Sequence, residues 1–294
     1  FAINKFRGDP RLFDTGVTEI EQRTGWPCFG VIPWLTATSR LPAEDAVAQL
    51  HSMAGTGNSI RIAAPMLSRM ANFDDADPLR LEPGVEFEFV PPGRSLPRDC
   101  DLIIVFGSKS TLGDLQFLRE QGWDHDIIAH ARNGGSVLGI CGGYQMLGRK
   151  IIDPTGSDGL SGEAPGLGLL DVETRMDNEK TVHPVRASCV ASATEVTGYE
   201  IHVGKTTGGD CARPMFSVDG EHEGARSTDG LVAGTYIHGL MSDDAYRQSF
   251  LAGLGVAASG FNYAQSVESA LDELAAGLEA ALDVDRLLAS ALES

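Results

Sequence analysis

The sequence contains no run of 18 apolar residues, so it supplies no transmembrane helix, and it shows no signal-peptide pattern. Positive charge is scarce. Against 41 Asp and Glu there are 23 Lys and Arg, a net charge of -18 that excludes nucleic acid and anionic membrane as expected partners. Cysteine is scarce too: Cys28, Cys100, Cys141, Cys189 and Cys211 are widely spaced, odd in number and without a C-x-x-C pair. That excludes a disulfide framework or zinc cluster and fits a reducing, cytoplasmic compartment. The seven His are scattered, and none forms H-x-x-x-H beside a carboxylate, so no metal site is expected. No internal repeat or low-complexity tract is present. What remains is 294 residues at 42% apolar content, enough for a packed core and one or two domains.

The most informative stretch is Ser136-Val137-Leu138-Gly139-Ile140-Cys141-Gly142-Gly143-Tyr144-Gln145. It predicts a buried apolar strand, a sharp turn with a cysteine at its tip, and the start of a helix. Gly139 and Gly143 stand two residues before and after Cys141. This is the spacing of a nucleophile elbow, G-x-S-x-G, with Cys in place of Ser. Larger side chains at those positions collide in such a turn. The turn lifts the sulfur clear of the sheet and directs the Gly142 N–H and the helix N-terminus toward a bound group. A helix N-terminus also favours the reactive thiolate. The bland alternative is a structural Cys in a Gly-rich junction.

The chain in order predicts an α/β protein. Phe1–Phe6 predicts a strand, Thr15–Arg23 a short helix and Trp26–Leu35 a second strand, a βαβ-like piece too small to bury a core alone. Because the chain opens at Phe1 inside an apparent strand, it is expected to be the later part of a longer chain. Residues 43–53 are helical in pattern, and Gly55-Thr56-Gly57-Asn58-Ser59 predicts a junction. Strands at 59–64, 85–91, 101–106, 136–140 and 231–239 alternate with helices at 114–121 and 127–133. The alternation predicts a mostly parallel sheet flanked by helices, with ligands at the carboxyl ends of the strands. Between them, 169–174, 182–190 and 197–202 predict an antiparallel meander, and 267–282 and 284–292 predict amphipathic helices closing the domain. Asn72-Phe73-Asp74-Asp75-Ala76-Asp77-Pro78 is an acidic loop whose composition favours turn and cap chemistry. Gly107-Ser108-Lys109-Ser110-Thr111 is not a P-loop, because the first Gly is missing and Ser108 separates Gly107 from Lys109. It is either a plain turn or a source of N–H groups for an oxyanion. His238, at the end of an apolar strand, is the base expected to pair with Cys141.

Gly139–Gly148 resembles the nucleophile motif of class I glutamine amidotransferases, and Tyr236-Ile237-His238-Gly239 resembles their His motif. More narrowly, Ile3–Asp9, Asn72–Asp75 with Asp77-Pro78-Leu79, Gly107–Thr111 and Gly198-Tyr199-Glu200-Ile201-His202-Val203-Gly204 resemble the cobyrinic-acid amidating branch. The resemblance implies a class I amidotransferase-like, flavodoxin-like α/β fold over 58–294. It implies that 1–52 is the C-terminal remnant of an ATP-dependent synthetase domain. Cys141 is implied as nucleophile and His238 as general base and acid. Gly142 with Gly107 and Ser108 is implied as oxyanion hole, and Gln145 as a residue that seats glutamine. Ammonia would pass to the synthetase domain, where ATP and Mg are expected, to amidate adenosylcobyrinic acid a,c-diamide. No cofactor is expected within this stretch itself. Alternatives are the glutaminase of a ligase acting on another substrate, such as a cell-wall lipid intermediate, and a non-catalytic domain of the same fold. One departure stands out. Class I members usually carry Glu two residues after the His, where this chain has Leu240. Glu200 qualifies as a third member only if folding brings it near His238.

Overall fold

A computed structural model describes residues 1–42 and 59–292, and of residues 178 and 179 the backbone. The helix predicted over 43–53 and the junction at 55–58 lie outside the described residues. The chain forms two compact units, Phe1–Ala43 with Ala264–Ser294, and Glu44–Tyr263.

In the larger unit, the described residues form a six-stranded sheet in the order Ala225–Arg226, Val232–Thr235, Ser136–Ile140, Leu102–Val105, Ile60–Pro65, Val85–Val90. All pairs are parallel except the first. The central strands are apolar on both faces because both faces are covered. Along Leu102–Val105, Leu102 and Ile104 pack with Phe87, Phe106 and Leu138, while Ile103 and Val105 pack with Leu115, Trp123 and Ile127. The helices Thr111–Glu120 and Trp123–Arg132 lie within one residue or a few of the predicted spans.

The meander forms a second sheet. Its central strand is longer than predicted: Val172–Cys189 is one strand, with a register break between Arg175 and Lys180, and it runs antiparallel to Glu195–Gly208. The apolar run 231–239 is shorter than predicted. It divides into Val232–Thr235 in the parallel sheet and Ile237–His238 against Glu195–Gly208 in the meander. His238 therefore arrives where the two sheets meet. The loop predicted at Gly107 contains a short strand, Gly107–Ser108, antiparallel to Met70–Ala71.

In the smaller unit, Ile3–Phe6 pairs in parallel with Val31–Pro33, and the helix Asp14–Thr24 connects them. The helices Tyr263–Ala281 and Val284–Leu292 have the predicted character, but they group with this opening segment rather than with the larger unit. Leu282 bridges Gly30, and Arg40 pairs with Glu273. At Gly30 a Cβ would lie 2.0 Å from the Ala281 carbonyl oxygen, so the close approach depends on glycine. Among the described residues, no helix is long and apolar enough to cross a membrane.

Candidate active site

Cys141 sits between the strand Ser136–Ile140 and the helix Gly142–Leu147 with φ 53° and ψ -113°, a conformation that costs a non-glycine residue about 1–3 kcal/mol. The surroundings enforce it. Cys141 N–H donates to the Thr235 carbonyl at 2.8 Å. A Cβ on Gly143 would lie 1.8 Å from the Val105 carbonyl oxygen, and one on Gly139 would lie 2.7 Å from the Tyr144 backbone. The two flanking glycines are thus needed for backbone to pass backbone. Gly143→Ala is expected to destabilise the protein by about 3 kcal/mol, since the blocking atom is main chain and cannot rotate away. Urea denaturation checks this; an unchanged midpoint would contradict the tight elbow.

His238 is 1% exposed and lies on the same cavity as Cys141. Its Nδ1–H donates to Asp75 Oδ2 at 2.6 Å, and the Gly239 N–H donates to Asp75 Oδ1 at 2.6 Å. A carboxylate only accepts, so Asp75 fixes the proton on Nδ1 and leaves Nε2 as the working nitrogen. Nε2 is buried and has no hydrogen-bond partner among the described residues. Burial pushes the His238 pKa down, but Asp75 and then Cys141 push it up further, to about 10. Tyr199 stacks on the imidazole, with centroids 5.2 Å apart and planes 18° from parallel, and Asn72 Nδ2 donates to the Tyr199 hydroxyl at 2.8 Å.

Asp75 is the member that the sequence did not reveal. It lies in the acidic segment whose composition favours turn chemistry, and it is only 5% exposed. A buried carboxylate requires a partner, but that partner stands 163 residues away. Glu200 is not brought to the His238 ring; it faces His202, whose Nε2 lies 3.3 Å from Glu200 Oε2. Leu240 is buried in the core. The acid therefore comes from the segment after the strand Ile60–Pro65, not from two residues beyond the histidine.

Gly107, Ser108, Gly142 and Gln145 line the cavity, whose volume is about 320 Å³. A Cβ on Gly107 would lie 3.5 Å from His238 Cε1 and 3.7 Å from Cys141 Cβ, and one on Gly142 would lie 3.0 Å from the Ser108 nitrogen. Gly142 opens its helix, so its N–H has no acceptor within the helix. Lys109 N–H donates to Arg69 O. In an antiparallel ladder the bonded pairs alternate, so Ser108, opposite Met70, turns its N–H away from that strand. Two N–H groups are thereby available side by side. Asp114, fully buried, braces the Ser108 segment: it accepts from the Ser108 hydroxyl at 2.6 Å, the Ser68 hydroxyl at 2.6 Å and the Arg69 N–H at 3.0 Å. Gln145 is already engaged by protein. Its Oε1 accepts from Thr111 Oγ1, and its Nε2 donates to Val203 O and the Tyr236 hydroxyl, each at 3.1 Å. It shapes the cavity wall.

Comparison with known proteins bears on the family of the chain. Over 99% of its length the chain is 60% identical to a cobyric acid synthase from Hyphomonas neptunium, covering 59% of that protein. Over 98% of its length it is 54% identical to a cobyric acid synthase from Sinorhizobium fredii, covering 60% of it. The chain thus spans about three fifths of these relatives. Among solved structures, that of PurLQS from Thermotoga maritima matches 72% of this chain and 99% of its own at 18% identity, with a TM-score of 0.48. Residues 61–246 match a single family throughout, a stretch that takes in Asp75, Cys141 and His238 together, and the chain belongs to that family, the CobB/CobQ-like glutamine amidotransferase domains.

Proposed function

We propose that this chain is the glutamine-hydrolysing part of a cobyric acid synthase and works through a Cys141 thioester. The observation that carries the reading is that Cys141 and His238 line one cavity with Gly107, Ser108 and Gly142, while Asp75 holds the far side of the His238 ring. In this mechanism the Cys141 sulfur attacks the carboxamide carbon of glutamine. The developing oxyanion is held by the N–H groups of Gly142 and Ser108, which stand ready before the charge forms. With its pKa raised to about 10, His238 already holds the proton given up by the thiol on Nε2, and it delivers that proton to the leaving nitrogen, so ammonia departs and the thioester remains. Water then attacks, His238 removes its proton, and glutamate leaves as the thiol is restored. Asp75 stabilises the imidazolium that forms in both halves.

The acceptor on this reading is adenosylcobyrinic acid a,c-diamide, as the motif resemblance implies. On this reading the amidation, with ATP and Mg, belongs to the part of the relatives that this chain does not span. The opening segment is then the end of that synthetase domain, and the reaction takes place in the cytoplasm. Incubation of the chain with glutamine is expected to release glutamate and ammonia in equal amounts. With the remaining two fifths of the relatives' length restored, and with ATP, Mg and the a,c-diamide supplied, the nitrogen is expected in amide product. Glutamine hydrolysis that never couples to this acceptor would contradict the assignment of substrate while leaving the glutaminase intact.

A further inference from the structure

The strand that carries His238 changes sheets. Up to Thr235 it pairs with Ser136–Ile140; from Ile237 it pairs with Glu195–Gly208. A strand that switches sheets leaves main-chain donors without ladder partners at the switch, and buried donors must be paired. Here the donors are the N–H groups of Tyr236 and Ile237. Glu223, at the end of the strand Glu221–Glu223, stands at this point and is 8% exposed. Its Oε1 accepts the Tyr236 N–H at 2.7 Å, and its Oε2 accepts the Thr235 hydroxyl at 2.7 Å. Thr235 Oγ1 in turn accepts the Ile237 N–H at 3.0 Å.

The same Thr235 lends its carbonyl oxygen to the Cys141 N–H. One residue is therefore held by Glu223 through its side chain and holds the nucleophile through its backbone, three positions before the base. Two donors converge on Glu223, and a carboxylate is the side chain that accepts on both oxygens. Burial pushes this carboxyl up to about 7, while the bonds from Tyr236 and Thr235 hold it down and Glu200 adds to the rise. Glu223 does not line the cavity.

We propose that Glu223 is a positioning residue for the catalytic pair, setting the kink at Thr235–Ile237 that brings His238 to Cys141. The proposal rests on the glutamine-hydrolysing reading. It is tested on the full chain with Glu223→Gln, which keeps the shape but gives one acceptor in place of two. Reactive sites are counted by stoichiometric alkylation of Cys141, so that misfolded protein is excluded from the rate. The kcat per reactive site is expected to fall about ten- to a hundredfold, the scale of a small misplacement of reacting groups. KM for glutamine is expected to stay within about twofold, since the cavity lining is untouched. A merely structural role would lower the melting temperature and the number of reactive sites, not the rate of each. Wild-type kcat per site in Glu223→Gln would overturn the proposal.

Thr235→Val, which removes only the relaying hydroxyl, covers the case in which Glu223→Gln fails to fold. It is expected to lower kcat per site in the same direction, and an unchanged kcat would overturn the proposal equally. If both variants fold, their double variant is expected to lose less than the product of the single losses, because the two groups form one chain of bonds. A wild-type chain that neither hydrolyses glutamine nor alkylates at Cys141 would overturn the glutaminase reading itself, an outcome distinct from normal turnover in the variants.

Discussion

Cys141→Ala is expected to abolish glutamine hydrolysis, lowering kcat by at least about 10⁴-fold, while the protein stays folded. No other sulfur can take over. Among the described residues Cys100 and Cys189 are buried, and neither they nor Cys28 and Cys211 line the cavity. Stability tells a second part of the story. Cys141 occupies a φ of 53°, which alanine tolerates no better than cysteine. Cys141→Gly is therefore expected to be as inactive as Cys141→Ala but more stable than it, by about 1 kcal/mol. Equal stability of the two variants would contradict the strained elbow. Residual turnover within tenfold of wild type would contradict the nucleophile.

Asp75→Asn is expected to lower kcat about 10²- to 10⁴-fold with little change in KM. The change conserves shape, and Asp75 does not line the cavity. What it alters is the proton. An asparagine amide can donate to Nδ1, which favours the tautomer with hydrogen on Nε2, and that nitrogen can then no longer accept from Cys141. The variant also has a pH signature. His238 is raised from its ordinary value near 6.5 to about 10 in the folded protein. A raised pKa means that this group's stabilising contribution is fully present below the unfolded value and is lost as pH rises through the folded one. Between about pH 6.5 and 10 the wild type is expected to lose this contribution, and Asp75→Asn is expected to lose less of it because it had less to begin with. Denaturation midpoints across that range, together with steady-state kinetics, check both parts. Wild-type kcat in Asp75→Asn would remove Asp75 from the mechanism.

How much of this could be read from the chain depended on distance along it. The elbow was legible because all its requirements are local: Gly139 and Gly143 flank Cys141 at the spacing that close backbone contacts with Tyr144 and Val105 demand. His238 was legible from its place at the end of an apolar strand, given Cys141. The α/β alternation made the parallel sheet legible in outline, though not the order of its strands, since each strand is a short apolar run between turns. Asp75 was not legible as a catalytic partner. Its segment carries several acidic residues, and only folding shows that Asp75 reaches His238 while the Asp77 carboxylate pairs with Arg80. The switch of sheets at Tyr236 was likewise hidden, because the residues that compensate it, Glu223 and the Thr235 hydroxyl, lie outside the apolar pattern or look like ordinary strand content. The terminal helices showed their own periodicity but not their partner, for amphipathic spacing marks a face and does not say what covers it.

On the mechanism proposed, one cysteine, Cys141, paired with one histidine, His238, is the glutamine-reactive group. The most direct test is labelling with a diazoketone analogue of glutamine, mapped by mass spectrometry over all five cysteines in the wild type and in His238→Ala. Label is expected on Cys141 alone, protected by excess glutamine and strongly slowed in His238→Ala. Comparable label on several cysteines, or label on Cys141 that is indifferent to both glutamine and His238, would contradict it.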